Sequence, residues 1–232
     1  MRMNICIKGL HLLMGISVIS GVKLQTGQTT YFDKHYDTKQ RFISYWHQIN
    51  EIITLKPTKL LEVGIGNGLV SDYIRKRGID IITLDIDDML NPDVVGNIIC
   101  LPFDDNSFDM IACCEVLEHL PYDNFQKALA EIHRVTSKYA VISLPDVSHY
   151  FRMRFRVPRV VYIRRIISLP VNEKRPYQYD GIHYWEIGRA GYPLRKIVYE
   201  IERAGFQIHR SYRVFEHPYH RFIILEKAKE KR

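Results

Sequence analysis

Cysteine is scarce here, and what there is makes no metal motif. Cys6, Cys100, Cys113 and Cys114 contain no C-x-x-C pair, and no His-x-x-x-His lies near them, so a cysteine-histidine zinc site is excluded and reduced, structural thiols of a cytosolic protein are expected. Long apolar runs are also missing. Met1 to Val22 is apolar, but Lys8 and His11 interrupt it, no small-x-small cleavage site follows, and the unbroken part is too short to span a bilayer. Residues 1–28 are therefore expected to be a loosely attached extension and linker, or sequence upstream of the natural start. With 46% apolar and 25% charged residues the chain is neither disordered nor a multi-span membrane protein, and 232 residues fit one domain with a substantial core. Acid is nearly absent from one stretch. Residues 151 to 175 hold eight Arg and Lys against Glu173, which equals the +7 net charge of the whole chain. One basic segment, not a basic protein, needs explaining.

The chain is organised around KLLEVGIGNG, residues 59–68. Leu60, Leu61, Val63 and Ile65 make a run of strand length, and Gly64, Gly66 and Gly68 break it before the helical pattern LVSDYIRKRG. A strand that stops in glycines and restarts as a helix lets the backbone approach a ligand, with helix N–H groups facing the gap. A second strand, Ile81 to Leu84, ends in Asp85, where a carboxylate can accept from both hydroxyls of a ribose. This is a nucleotide-type site. The dinucleotide fingerprint needs a glycine where Leu69 stands, which disfavours a nicotinamide oxidoreductase.

Strand and helix patterns alternate along the chain. A helix is expected from about Thr38 to Leu55, with Phe42, Tyr45, Trp46, Ile49, Ile52 and Ile53 facing inward and Pro57 ending it. Helix 67–77 follows, then a third strand through Val94, Val95, Ile98 and Ile99, a fourth over Met110 to Cys114, helix Asn124 to Val135 and a fifth strand, Tyr139 to Leu144. Helix Leu194 to Ala204 stops at Gly205, and strands Phe206 to Val214 and Arg221 to Glu226 pair around FEHPYH as an antiparallel hairpin at the sheet edge. Such alternation implies an α/β fold with a parallel sheet and ligand contacts at strand C-termini.

Glu62, Gly64, Gly66 and Gly68, in the pattern acidic-x-Gly-x-Gly-x-Gly, resemble motif I of the class I S-adenosylmethionine-dependent methyltransferases. The block LPFDDNSFD, a short strand and EVLEHL, residues 101–120, is similar to the methyltransferase type 11 group. The resemblance covers roughly residues 58 to 145. It implies a Rossmann-like three-layer sandwich with a seven-stranded, mostly parallel sheet and an antiparallel C-terminal hairpin, over a domain spanning 29–232. The implied cofactor is S-adenosylmethionine, leaving as S-adenosylhomocysteine. Its implied contacts are Glu62, the three glycines, Asp85 and Ile86. Asn97 would face the adenine amino group, the Ile98 N–H its ring nitrogen, and Glu115 would line the methionine end. Family members often carry Asp where Asn97 stands, although an amide oxygen can still accept from that amino group. Taken singly, Glu62 also reads as an exposed strand residue and Asn97 as a turn former beside Gly96.

Between the fifth strand and the last helix lies an insertion at about 146–185, long enough for a lid or binding loop. Its first part alternates Arg with Phe151, Met153, Phe155 and Val157; its second, Arg159 to Leu169, has apolar residues at helical spacing. A basic strip with interleaved aromatics fits nucleic acid, an anionic membrane surface or an acidic substrate; the plain alternative is a solvated helix face. No RNA-binding module is recognisable, and no DNA contact is expected. The chemistry expected is methyl transfer to O or N of a small, glycan-like or lipid-linked acceptor, in the cytoplasm or at the inner membrane face. His119 and His183 are the candidate bases, and Tyr31, Tyr184, Trp185, Arg154 and His220 the candidate acceptor contacts; no metal ligands are assigned. The competing reading is a non-catalytic module of the same fold that docks an acidic partner through residues 151–175.

Overall fold

The computed structural model describes residues 31–159, 161–169, 171 and 177–228. The N-terminal extension, its linker, Glu173, Lys174, Arg175 and the last four residues lie outside that set. Helix α1, Lys39–Leu55, begins where the Thr38 hydroxyl accepts from the Arg41 N–H and ends at Lys56 in the left-handed conformation. Its buried stripe runs through Ser44, Tyr45, Gln48, Glu51 and Ile52. Phe42 and Trp46, expected inside, are 48% and 59% exposed. The helix is turned by polar partners instead, since Ser44 bonds His220 and Glu51 accepts from Tyr212 at 2.7 Å.

Strands β1 (Lys59–Val63), β2 (Asp80–Asp85), β3 (Val94–Val95), β4 (Phe108–Cys114) and β5 (Thr136–Pro145) alternate with helices α2 (Leu69–Lys76) and α3 (Phe125–Val135). Two strands, β6 (Tyr150–Val157) and β7 (Val161–Ser168), then precede helix α4 (Leu194–Arg203) and the closing strands β8 (Phe206–Arg213) and β9 (His220–Lys227). The main sheet has the order β3-β2-β1-β4-β5-β9-β8. Its first four pairings are parallel, and β9 runs antiparallel to both β5 and β8. This is the expected seven-stranded, mostly parallel sheet.

Alternation along the strands fills both faces. Leu60, Met110, Val141 and Ile224 face α1 and α2, while Leu61, Ile111, Ile142 and Ile223 face the layer of α3 and α4. Three layers result. Strand β3 is shorter than expected because the Asn97 carbonyl accepts from Cys100 N at 2.9 Å and its side-chain oxygen from Ile99 N at 3.1 Å, which turns the chain before Ile98. Cys113 and Cys114 are free thiols, but Cys100 is disulfide-bonded, which corrects the expectation that every cysteine is reduced.

The insertion departs most from the sequence expectation. The described residues between 159 and 169 carry no helix: β6 and β7 pair antiparallel from Tyr150↔Ser168 to Val157↔Val161, and Arg159 between them is left-handed. Val161, Ile163, Ile166 and Ile167 are β-branched, and that preference prevails over a spacing that also suits a helix. At the hairpin's base Asp146 accepts from Arg221 Nε at 2.7 Å, while Arg213 bonds the carbonyls of Pro218, Asp146 and Ser148. These buried links fix β5, the hairpin and the β8–β9 turn to one another.

Candidate active site

The chain leaves β1 for β2 in one direction and later enters β4 on the other side, so a crevice opens at the C-terminal ends of β1 and β4. A cavity of about 220 Å³ occupies it. The sheet order sets the order of its walls: Asn97 and Ile98 beyond β3, Asp85 at β2, the glycine loop at β1, Glu115 to His119 beyond β4, and His220 beside β5.

Backbone builds the first half. Gly64, Gly66 and Gly68 have φ of +82°, +54° and +75°, and a Cβ on Gly64 would come within 2.3 Å of Val116 Cγ2. Only glycine fits there. The Tyr31 ring and the Tyr36 hydroxyl stand over Gly66, and both line the cavity. Asp85 Oδ2 accepts from Ile65 N at 2.9 Å and Oδ1 from Asp87 N at 3.0 Å, and the Ile86 N–H also acts on this carboxylate, which still keeps acceptor capacity for a ligand. Burial, opposed by these backbone bonds, raises its pKa. Glu62 is buried, its Oε2 has no partner, and burial pushes its carboxyl up to about 8.

Side chains build the second half. Glu115 adopts φ +55°, a strained conformation for a non-glycine residue. Its Oε1 accepts from Ser143 Oγ at 2.7 Å, and Oε2 lies 3.2 Å from His220 Nε2. A carboxylate only accepts, so Nε2 donates and His220 Nδ1 accepts from Ser44 Oγ at 2.8 Å. Burial lowers the His220 pKa to about 3, and the ring is neutral. His119 Nδ1 donates to the Ile182 carbonyl at 3.0 Å, and His183 Nδ1 donates to Glu186 Oε1 at 3.0 Å; the ring centroids are 5.0 Å apart. Burial lowers the His119 pKa. Glu186 is buried, yet bonds from His183, Tyr219 and Arg189 outweigh that and hold its carboxyl below the ordinary value. Burial pushes Glu118 well above the carboxylate range, and neither of its oxygens has a partner.

Of the expected residues, Tyr31, Glu62, Gly64, Gly66, Asp85, Ile86, Asn97, Ile98, Glu115, His119, His183 and His220 line this cavity. Gly68 does not; it caps α2. Asn97 is a cavity wall and a turn former at once. Trp185 is fully buried against Tyr122 and Phe125 with Nε1 on the Leu120 carbonyl, so it is core rather than acceptor contact. Tyr184 stacks on Tyr179, and Arg154 lies on the β6–β7 hairpin over Tyr162. His183 sits in a loop well ahead of α4, held there by the Tyr184 N–H on the Glu118 carbonyl. Sequence reasoning missed Tyr36, Arg41, Asp87 and Glu118. Glu118 had a signal, an acid inside EVLEHL directly after β4; Arg41, on a helix remote in sequence, had none.

Fold and glycine loop together define the class I methyltransferase architecture. Residues 61–144 match the family model described as a methyltransferase domain. A demethylmenaquinone methyltransferase of Renibacterium salmoninarum is 29% identical over 124 residues, 49% of this chain and 52% of that protein. A ubiquinone biosynthesis O-methyltransferase of Coxiella burnetii is 35% identical over 88 residues, 32% of this chain and 37% of that protein. The chain thus spans about half the length, or less, of these curated relatives. Among solved structures, the 1,6-didemethyltoxoflavin-N1-methyltransferase of Burkholderia thailandensis, with bound S-adenosylhomocysteine, superposes with a TM-score of 0.59 at 16% identity over 87% of this chain and 84% of its own. The magnesium protoporphyrin IX methyltransferase of Synechocystis PCC 6803, with bound SAM, gives 0.51 at 14% identity over 82% and 79%. At these identities the likeness shows the fold.

Proposed function

We propose that the chain is an S-adenosylmethionine-dependent methyltransferase acting on an O or N atom of a small organic acceptor, apolar and lipid-linked in preference to glycan-like. The observation that carries this is the Asp85 carboxylate, held by main-chain N–H groups beside a glycine loop and lining the cavity. The donor set suits the cofactor: Asp85 for the ribose hydroxyls, the lone Glu62 Oε2 for the methionine ammonium, and the Asn97–Ile98 turn for adenine. Bound there, the sulfonium supplies an electrophilic methyl group and a neutral leaving group. The chain's part is then to align and desolvate, an effect that supplies roughly 7 to 11 kcal/mol. A hydroxyl acceptor must also lose a proton, toward the His119–His183 pair, where Glu186 orients the second ring. Relatives named for demethylmenaquinone and ubiquinone biosynthesis support a quinone-like acceptor.

The β6–β7 hairpin supports work at an anionic membrane surface on the cytoplasmic side. One of its faces carries Phe151, Met153, Phe155, Ile163 and Ile167, between 36% and 57% exposed, together with Arg165 opposite Met153. Arginines 152, 154, 156 and 164 share the other, and no acid occurs between Val147 and Val171. Among the described residues no helix is long and apolar enough to cross a membrane, so contact would be peripheral. Titration calorimetry with S-adenosylhomocysteine, then radiolabelled methyl transfer into extract sorted into lipid, glycan, RNA and protein, tests the reading. Binding with label in the lipid fraction is expected; no binding sinks the enzyme, and label in RNA or protein sinks the acceptor class.

A further inference from the structure

Glu118, His119 and His183 each bring one ligand atom to within 4.8 Å of the others. Each histidine already donates from Nδ1, one to the Ile182 carbonyl and one to the Glu186 carboxylate, so the nitrogen left on each ring is an Nε2 carrying a lone pair. Fixing an imidazole by its far N–H, on a backbone carbonyl or a carboxylate, is how proteins orient histidines toward a metal ion. Glu118 adds the independent observation. It is wholly buried, lines the cavity, and neither of its oxygens has a hydrogen-bond partner. A buried carboxyl group with neither oxygen hydrogen-bonded is costly, and a cation that took its oxygen as a ligand would relieve it. Glu186 in turn is held by Tyr219 and by Arg189 Nε at 2.8 Å, so the second ring's support is itself supported.

We infer that the chain binds one divalent first-row cation, of the zinc class, through Glu118, His119 and His183 at the acceptor end of the cavity. Two nitrogens, one oxygen and an open side toward the cavity make the donor set of a catalytic rather than a closed structural site. Tetrahedral zinc–ligand bonds of about 2.0 to 2.1 Å put ligand atoms about 3.4 Å apart, so the cluster closes by up to about 1.4 Å as the ion enters. Binding stands independently of methyl transfer; only its consequence rests on that reading. With the ion in place both Nε2 atoms would be ligands, and the cation would make an acceptor hydroxyl in the open position acidic, its proton passing to solvent water instead of to a ring.

The test uses the full chain stripped with chelator and titrated with Zn²⁺ by calorimetry and with Co²⁺ by visible absorption. One equivalent is expected, with a Co²⁺ spectrum of four- or five-coordinate character and no thiolate charge-transfer band. Glu118→Gln, His119→Asn and His183→Asn should each weaken Zn²⁺ at least 30-fold. The Glu118→Gln variant, which replaces an unpartnered buried carboxyl with an amide of the same shape, should fold about as well as the parent and no longer gain thermal stability from Zn²⁺. Affinity for S-adenosylhomocysteine should stay within threefold, which separates this site from the cofactor reading. Sub-stoichiometric Zn²⁺, affinity unchanged by all three substitutions, or a thiolate band would overturn the assignment.

Discussion

The two ends of the cavity are made of different material. From β3 to β1 the wall is largely main chain: left-handed glycines, the Ile65 and Asp87 N–H groups, and one carboxylate they hold. From β4 to β9 it is side chain, contributed by α1, the turn after β4, the loop around His183 and the start of β9. A backbone wall is specified within a few residues and suits a ligand that never changes. A side-chain wall drawn from four distant stretches can be altered one residue at a time, and it is where acceptor identity is expected to reside.

The largest effect should come from breaking the backbone wall. Gly64→Ala places a methyl group 2.3 Å from Val116 Cγ2 at φ +82°. Overpacking and left-handed strain each cost on the order of 1 to 3 kcal/mol, so a loss of about 3 kcal/mol in urea unfolding is expected. Val116→Ala in the same chain should restore the steric share and leave the strain. If the single variant is as stable as the parent, the loop is not rigid and the contrast between the two ends fails.

Asp85→Asn tests the one side chain on which the backbone wall depends. An amide has a single acceptor oxygen, so it cannot serve two N–H groups and two sugar hydroxyls together. Hydrogen bonds to a charged group contribute roughly 1.5 to 3 kcal/mol, and a loss of about 100-fold in S-adenosylhomocysteine affinity is expected by calorimetry. A change below threefold would detach this carboxylate from the ligand.

Glu62 sharpens the comparison through pH. Its carboxyl titrates near 4.5 unfolded and is pushed to about 8 in the fold. Between those values the native state holds a proton the unfolded chain has released, so ligand-free stability falls as pH rises through that window and levels off above it. Glu62→Gln lacks the slope, and relative to it the parent should lose about 1.4 kcal/mol per pH unit within the window. The variant should also bind S-adenosylhomocysteine about tenfold more weakly, having lost the partner for its ammonium. Parallel stability curves would show that this buried acid is solvated in a way its burial does not suggest.

The same division governs what was legible in the sequence. Glycines 64 and 66, Asp85 and Asn97 were readable as cavity walls because their spacing is local. The α1 face was misread at Phe42 and Trp46 because apolar periodicity cannot register that Ser44 and Glu51 have polar partners on β8 and β9, more than 150 residues away. Trp185 was misread because an aromatic near a site looks the same in sequence whether it lines the cavity or fills the core below. Strand β7 was misread because a short apolar run fits both periods, and only its pairing with β6 decides. Glu118 escaped because a buried acid with no partner is a property of three-dimensional surroundings.

The smallest effect at the cavity should come from the hairpin, where a large effect is expected elsewhere. Arg154, Arg156 and Arg159 lie on or beside β6, away from the cavity wall. Changing all three to Gln should leave S-adenosylhomocysteine affinity within twofold. Each basic residue near an anionic leaflet contributes about 1 kcal/mol, so binding to vesicles containing anionic phospholipid should fall roughly 100-fold, and the parent's binding should weaken with salt. Phe151→Ser with Phe155→Ser should reduce binding to anionic vesicles without removing its salt dependence, because these residues supply the apolar half of the contact. If the arginine variant keeps its vesicle affinity but loses the cofactor, the hairpin acts as a lid over the cavity, and the division between a ligand-holding wall and a separate membrane-facing arm is wrong.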